Sequence, residues 1–147
     1  MEEYEFFYAD IEADSIFLSR YNVGDFIHAN NGVVASRLKG GLLTNCNVRF
    51  SFVPHSQGFL GYRVEDEDWK NQQLFIFDKD WRFKVEDRFF YDGVFQILMS
   101  HIDWEDFGEK KIIEAARKDF KKLYKQPPVD VLNNVEWKRR VRKVPGV

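Results

Sequence analysis

The sequence predicts an α+β domain in which a mostly antiparallel sheet, built from roughly the first 90 residues, carries two to three C-terminal helices packed on one face. Three observations predict it. Apolar and polar residues alternate, between turn signals, from the start of the chain to about Phe90, as strands require. After Asp92 the apolar spacing changes to that of helices. The two patterns are also segregated along the chain, strands first and helices afterwards.

The elements follow in order. Tyr4, Phe6 and Tyr8 alternate with Glu5, Phe7 and Ala9, and Ile16 to Tyr21 forms a second apolar run read as a strand. Asp25 to Ala29 and Val33 to Arg37 flank Asn30-Asn31-Gly32, residues that tolerate positive φ, which predicts a hairpin. After a break at Lys39-Gly40-Gly41, Val48, Phe50 and Phe52 alternate with Arg49 and Ser51. Pro54 to Gly58 turns the chain into Leu60, Tyr62 and Val64, where Gly61 marks a bulge or a close backbone approach. Leu74 to Phe77 is a short apolar strand, Asp78-Lys79-Asp80 a turn. In the next strand Trp81, Phe83 and Val85 alternate with Arg82, Lys84 and Glu86, so its polar face should be wet and its aromatic face buried.

Val94, Phe95, Leu98, Met99 and Ile102 fall at helical spacing after Asp92, a suitable N-cap. A second helix starts at Asp106, with Glu109 three residues on as in a capping box. Its stripe is Ile112, Ile113, Ala116, Phe120, Leu123 and Tyr124. Lys110, Glu114, Arg117, Lys118, Lys121, Lys122 and Lys125 lie opposite, and Pro127-Pro128 ends it.

Residues 1–147 are the size of one domain, with a basic segment 136–147 free to be flexible. Phe 15, Tyr 6 and Trp 4 make aromatics 17% of the chain, enough bulk to build a core and leave rings for a contact surface. Cys46 is the one cysteine, so no intrachain disulfide forms, and a reducing, cytoplasmic location is expected. No stretch is apolar enough to span a membrane. The net charge of −2 conceals an acidic body and a basic end: residues 1–100 sum to −6 and residues 101–147 to +4.

Catalytic signatures are missing. His28, His55 and His101 are in no metal-ligand spacing. Asp78 and Asp80 start like a calcium loop, but Arg82, Phe83 and Phe89 occupy its fifth, sixth and twelfth positions. Lys39-Gly40-Gly41 lacks the pattern of a phosphate loop, and Gly58 to Gly61 has apolar residues where an RNA-clamping loop is polar. Near Cys46 only Arg49 would lower a thiol pKa. Glu86-Asp87 is a carboxylate pair, but neighbours on a regular strand point to opposite faces. No metal and no cofactor are expected.

Two charged stretches remain. Glu65, Asp66, Glu67 and Asp68 run into Trp69. The plain reading is a solvated hairpin loop joining Tyr62-Arg63-Val64 to Leu74–Phe77. The functional one is a negative patch with an aromatic anchor, extended by Asp78 and Asp80, that docks a basic protein partner. At the other end Trp137, Lys138, Arg139, Arg140, Arg142 and Lys143 form either a solubilising tail or, with Arg117, Lys118, Lys121, Lys122 and Lys125, a stripe for nucleic acid.

The leading expectation is thus a small intracellular protein-binding module, an inhibitor or immunity-type protein that neutralises a basic partner such as a nuclease toxin. In general make-up the chain resembles bacterial immunity proteins, on no diagnostic motif. Nucleic-acid binding through the basic end is the alternative, and a small hydrolase or ligand-binding domain is another.

Overall fold

The strands assemble into one mixed sheet. A computed structural model describes residues 6–30, 33–36, 47–53, 62–63, 74–77, 81–101, 109–123 and 144–146. In chain order the elements are β1 (Phe7–Ile11), α1 (Ser15–Leu18), β2 (Phe26–Ala29), β3 (Val33–Ser36), β4 (Val48–Val53), β5 (Tyr62–Arg63), β6 (Leu74–Phe77), β7 (Trp81–Tyr91), β8 (Val94–His101) and α2 (Glu109–Leu123). Their spatial order is β2-β7-β8-β4-β1-β3-β6-β5. All pairs are antiparallel except β4 with β8, which run parallel with Phe50 opposite Ile97. Parallel neighbours need a long crossover, and β5, β6 and β7 lie in it.

The one parallel pair makes the sheet mixed, and this, with the helix content, corrects the expected fold of a mostly antiparallel sheet carrying two to three C-terminal helices. The segment from Val94 that was expected to be helical is strand β8, and among the described residues α2 is the one helix after the strands. Asp92 is not an N-cap. With φ of 52° it and Gly93, with φ of 82°, form the two-residue turn between β7 and β8, where positive φ at both positions matches the twist of the flanking strands. Ile16 to Tyr21 is not a strand either: Asp14 caps α1, its Oδ1 accepting from the Phe17 amide at 2.8 Å. The hairpin across Asn30-Asn31-Gly32 is also absent as a pairing, for β2 joins β7 while β3 joins β1 and β6. β5 and β6 do pair antiparallel, Tyr62 opposite Ile76.

The central strands are covered on both faces, and every residue of β1 and β4 is buried. One face is apolar. Phe7, Ala9 and Ile11 of β1, Phe50 and Phe52 of β4, Phe83 and Val85 of β7, and Ile97 and Met99 of β8 pack with Leu18 and Tyr21. Edge-to-face contacts join Tyr21 to Phe50 at 5.0 Å and Phe52 to Phe83 at 5.4 Å between ring centroids. Against the other face α2 lays Ile112, Ala116 and Phe120, the stripe its spacing predicts. Lys118, Lys121 and Lys122 face water.

A bulge in β7 decides what lies under α2. Val85 pairs with Met99 and Asp87 with Leu98, which leaves Glu86 as the extra residue. Beyond it the side-chain phase is reversed. Asp87, Phe89 and Tyr91 therefore reach the α2 side, where Phe89 and Tyr91 pack edge-on to Phe120.

Candidate functional site

The two faces of the sheet are chemically unlike. The face under α2 carries Asp10, Arg49, Ser51, Gln96, Ser100, Glu86 and Asp87, all of them buried. Buried polar groups are costly unless paired, so their partners define what this belt can do.

At one end the strand register sets Asp10 of β1 opposite Arg49 of β4. Arg49, 3% exposed, donates through Nε and Nη2 to the two Asp10 carboxylate oxygens at 2.8 and 2.9 Å. Its guanidinium lies 5.0 Å from the centre of the Tyr8 ring, and the Tyr8 hydroxyl donates to Asp119 Oδ2 of α2. Burial pulls the Arg49 guanidinium toward neutrality, but the charge and hydrogen bonds of Asp10 outweigh it and the pKa rises. The Tyr8 hydroxyl is pushed well above its ordinary range by burial and then by the Asp119 charge, which makes it a fixed donor.

In the middle, Gln96 Nε2 donates to Ser51 Oγ at 3.0 Å and to the Ala116 carbonyl at 3.2 Å, tying β8 to β4 and α2. Its Oε1 has no partner among the described residues. At the far end Ser100 Oγ donates to Glu86 Oε1 at 2.7 Å, and Lys84 Nζ, on a side chain 34% exposed, stands 3.9 Å from the same oxygen. Arg117 of α2 clasps Asp87 through Nε and Nη2, both at 2.9 Å, while lying 4.7 Å from the Phe89 ring centre. The Asp87 hydrogen bond is the main reason that the Arg117 pKa is raised.

Glu86 and Asp87 thus share one face, contrary to the alternation expected of a regular strand, because the bulge interrupts it. Asp10 and Asp87 are each closed by a guanidinium. Glu86 meets a hydroxyl and a more distant ammonium, and is the least committed of the buried carboxylates described here. Among the described residues no three His, Cys, Asp or Glu side chains converge to hold a metal ion.

Of the residues singled out in the sequence, Arg117, Lys118, Lys121 and Lys122 fall on α2. Arg117 is tied to Asp87, and Lys121 Nζ sits 5.3 Å from the Tyr91 ring centre. Glu65, Asp66, Glu67, Asp68, Trp69, Asp78, Asp80, Lys125, Trp137, Lys138, Arg139, Arg140, Arg142 and Lys143 lie outside the described residues. The belt residues were missed because Tyr8, Asp10, Arg49 and Asp119 are joined only by strand register and helix placement. Among the described residues no helix is long and apolar enough to cross a membrane.

No protein family and no curated protein matches the chain in sequence. Its fold is similar to that of solved structures. The type III effector XopAI from Xanthomonas axonopodis pv. citri superposes with a TM-score of 0.56 at 17% identity, covering 68% of this chain and 42% of XopAI. The ADP-ribosyltransferase HopU1 of Pseudomonas syringae pv. tomato gives 0.55 at 14%, covering 68% and 45%. The ATR domain of Salmonella SpvB gives 0.55 at 14%, covering 70% and 64%. This chain therefore spans less than two thirds of the length of each. The sheet is thus similar in fold to the ADP-ribosyltransferase HopU1 and to these other domains. The expected inhibitor or immunity-type protein is overturned by these neighbours, among them an ADP-ribosyltransferase and a type III effector.

Proposed function

We propose that this chain is an enzyme that transfers ADP-ribose from NAD to a protein acceptor. The observation that carries the proposal is the likeness of its mixed sheet to those of the ADP-ribosyltransferase HopU1, the effector XopAI and the SpvB ATR domain. A shared fold raises the prior for an activity and leaves the chemistry to be argued from side chains.

Breaking the bond between nicotinamide and ribose leaves positive charge on the sugar, as in glycoside hydrolysis, and a carboxylate in a dry setting stabilises it. Glu86 suits that role. It is buried, held in place by Ser100, and not closed by a guanidinium. Lys84 at the rim marks the side on which solvent approaches it. For the acceptor we assign the acidic stretch Glu65 to Asp68 with Trp69, Asp78 and Asp80, which suits a basic protein surface. The single Cys46 suits action in a reducing cytoplasm.

Purified protein incubated with biotin-labelled NAD and a panel of basic proteins tests the reading. Nicotinamide release and acceptor labelling are expected, both lost in Glu86→Gln while calorimetry still detects NAD binding. A chain that neither binds NAD nor releases nicotinamide overturns it.

A further inference from the structure

Among the described residues β2 stands at the end of the sheet, with β7 as its one neighbour. The Val85 amide donates to the Asp25 carbonyl and the Gly24 amide to the Val85 carbonyl, both at 2.8 Å. In an antiparallel ladder the main-chain groups alternate in direction. The Asp25 carbonyl and the Ile27 main-chain groups therefore turn toward β7, while Phe26 and His28 turn theirs outward. An outward row of this kind is a template for another strand, which proteins blunt with lysine, proline or a covering segment. Phe26-Ile27-His28-Ala29 contains no lysine, arginine, carboxylate or proline.

The covering segment is residues 144–146. The Gly146 amide donates to the outward His28 carbonyl at 2.9 Å. Val144 is fully buried in the apolar core, and the Tyr21 hydroxyl, itself buried, donates to the Pro145 carbonyl. Gly146 has φ of +98°, and a Cβ there would lie 2.5 Å from the Tyr21 hydroxyl oxygen and 3.3 Å from Ile27 Cγ2. Only glycine fits.

We infer that Val144, Pro145 and Gly146 cover the outer edge of β2 at the His28 carbonyl, and that a substitution displacing them makes this edge a self-association site for a second copy of the chain. The second copy is the fitting occupant because two β2 edges are self-complementary. Paired antiparallel about a two-fold axis, each offers outward amides and carbonyls at Phe26 and His28 to the other. No like charge on the strand opposes this. Val23 and Phe26, 62% and 53% exposed, supply apolar surface beside the edge. This inference stands apart from the proposed enzymatic activity.

The test is light scattering on size-exclusion fractions of the full chain and its Gly146→Val variant over a wide range of concentration. The variant is expected to associate about tenfold or more tightly than the unsubstituted chain, the effect of freeing one or two hydrogen-bonding groups on the edge. Adding Phe26→Lys should return it to the monomer. A folded Gly146→Val chain that associates no more than the unsubstituted one overturns the inference, and so does a dimer that Phe26→Lys leaves intact. Should Gly146→Val fail to fold by near-ultraviolet circular dichroism, Tyr21→Phe, which removes only the hydroxyl, is read by the same two criteria.

Discussion

Asp10 and Arg49 face each other across the β1–β4 pair and close a bidentate ion pair, at 2.8 and 2.9 Å, under a helix. Removing one partner takes the bidentate hydrogen bonds and their charge compensation from a buried ion, whereas replacing both with apolar residues removes the cost of burial along with the attraction. Asp10→Asn is therefore expected to cost about 3–5 kcal/mol. Asp10→Leu combined with Arg49→Met should be more stable than either single variant. Urea denaturation of Asp10→Asn, Asp10→Leu, Arg49→Met and the double variant checks the order.

The turn between β7 and β8 makes a second prediction. Nothing lies within 4 Å of a Cβ built on Gly93, so substitution there meets no steric neighbour and its cost is that of the positive φ alone. Gly93→Ala should destabilise by about 1–2 kcal/mol. Asp92→Asn should be neutral or slightly stabilising, because asparagine before glycine is favoured in this turn. Thermal melting of the two variants separates them.

That turn also shows where the sequence was and was not legible. Asp92-Gly93 is a strong hairpin signal, yet Val94, Phe95, Leu98, Met99 and Ile102 also satisfy helical spacing, and the helix reading followed. A strand covered on both faces lacks clean alternation, which is why β8, with Ile97, Leu98 and Met99 all buried in succession, resembles a helix stripe. α2 was legible because its outer face is wet and its stripe unambiguous. The strand at Val48–Val53 was legible from the alternation of Val48, Phe50 and Phe52 with Arg49 and Ser51. The polar belt was not. Asp10 meets Arg49, and Tyr8 meets Asp119, through register and helix docking that no local pattern encodes, and Asp87 comes under α2 only because Glu86 bulges.

Tyr8 and Tyr21 make stability depend on alkaline pH. Burial raises both hydroxyls well above the ordinary value of 10.0, with Asp119 adding to the effect at Tyr8. In the unfolded chain they ionise near that ordinary value, whereas the folded protein holds them neutral. Their contribution is complete below about pH 10 and is lost as pH rises toward the folded values. Alkaline titration followed by circular dichroism should show unfolding above about pH 10. Tyr8→Phe and Tyr21→Phe should each make it less steep, while lowering stability at neutral pH by about 1 kcal/mol or more, since Asp119 or the Pro145 carbonyl loses its donor.

The acidic stretch supplies the last prediction, which separates docking of an acceptor from chemistry on NAD. If Glu65, Asp66, Glu67 and Asp68 steer a basic acceptor, changing them to Gln and Asn should raise KM for that acceptor and make labelling less sensitive to salt, because screening weakens only charge-driven encounter. Nicotinamide release in the absence of acceptor should be unchanged, since the proposed reaction assigns that step to Glu86. Trp69→Ala should raise the acceptor KM without altering the salt dependence, because a ring anchors by burial and not by charge. Steady-state kinetics at two ionic strengths reads all three outcomes. Equal losses of transfer and nicotinamide release in the neutralised variant would remove the stretch from any docking role.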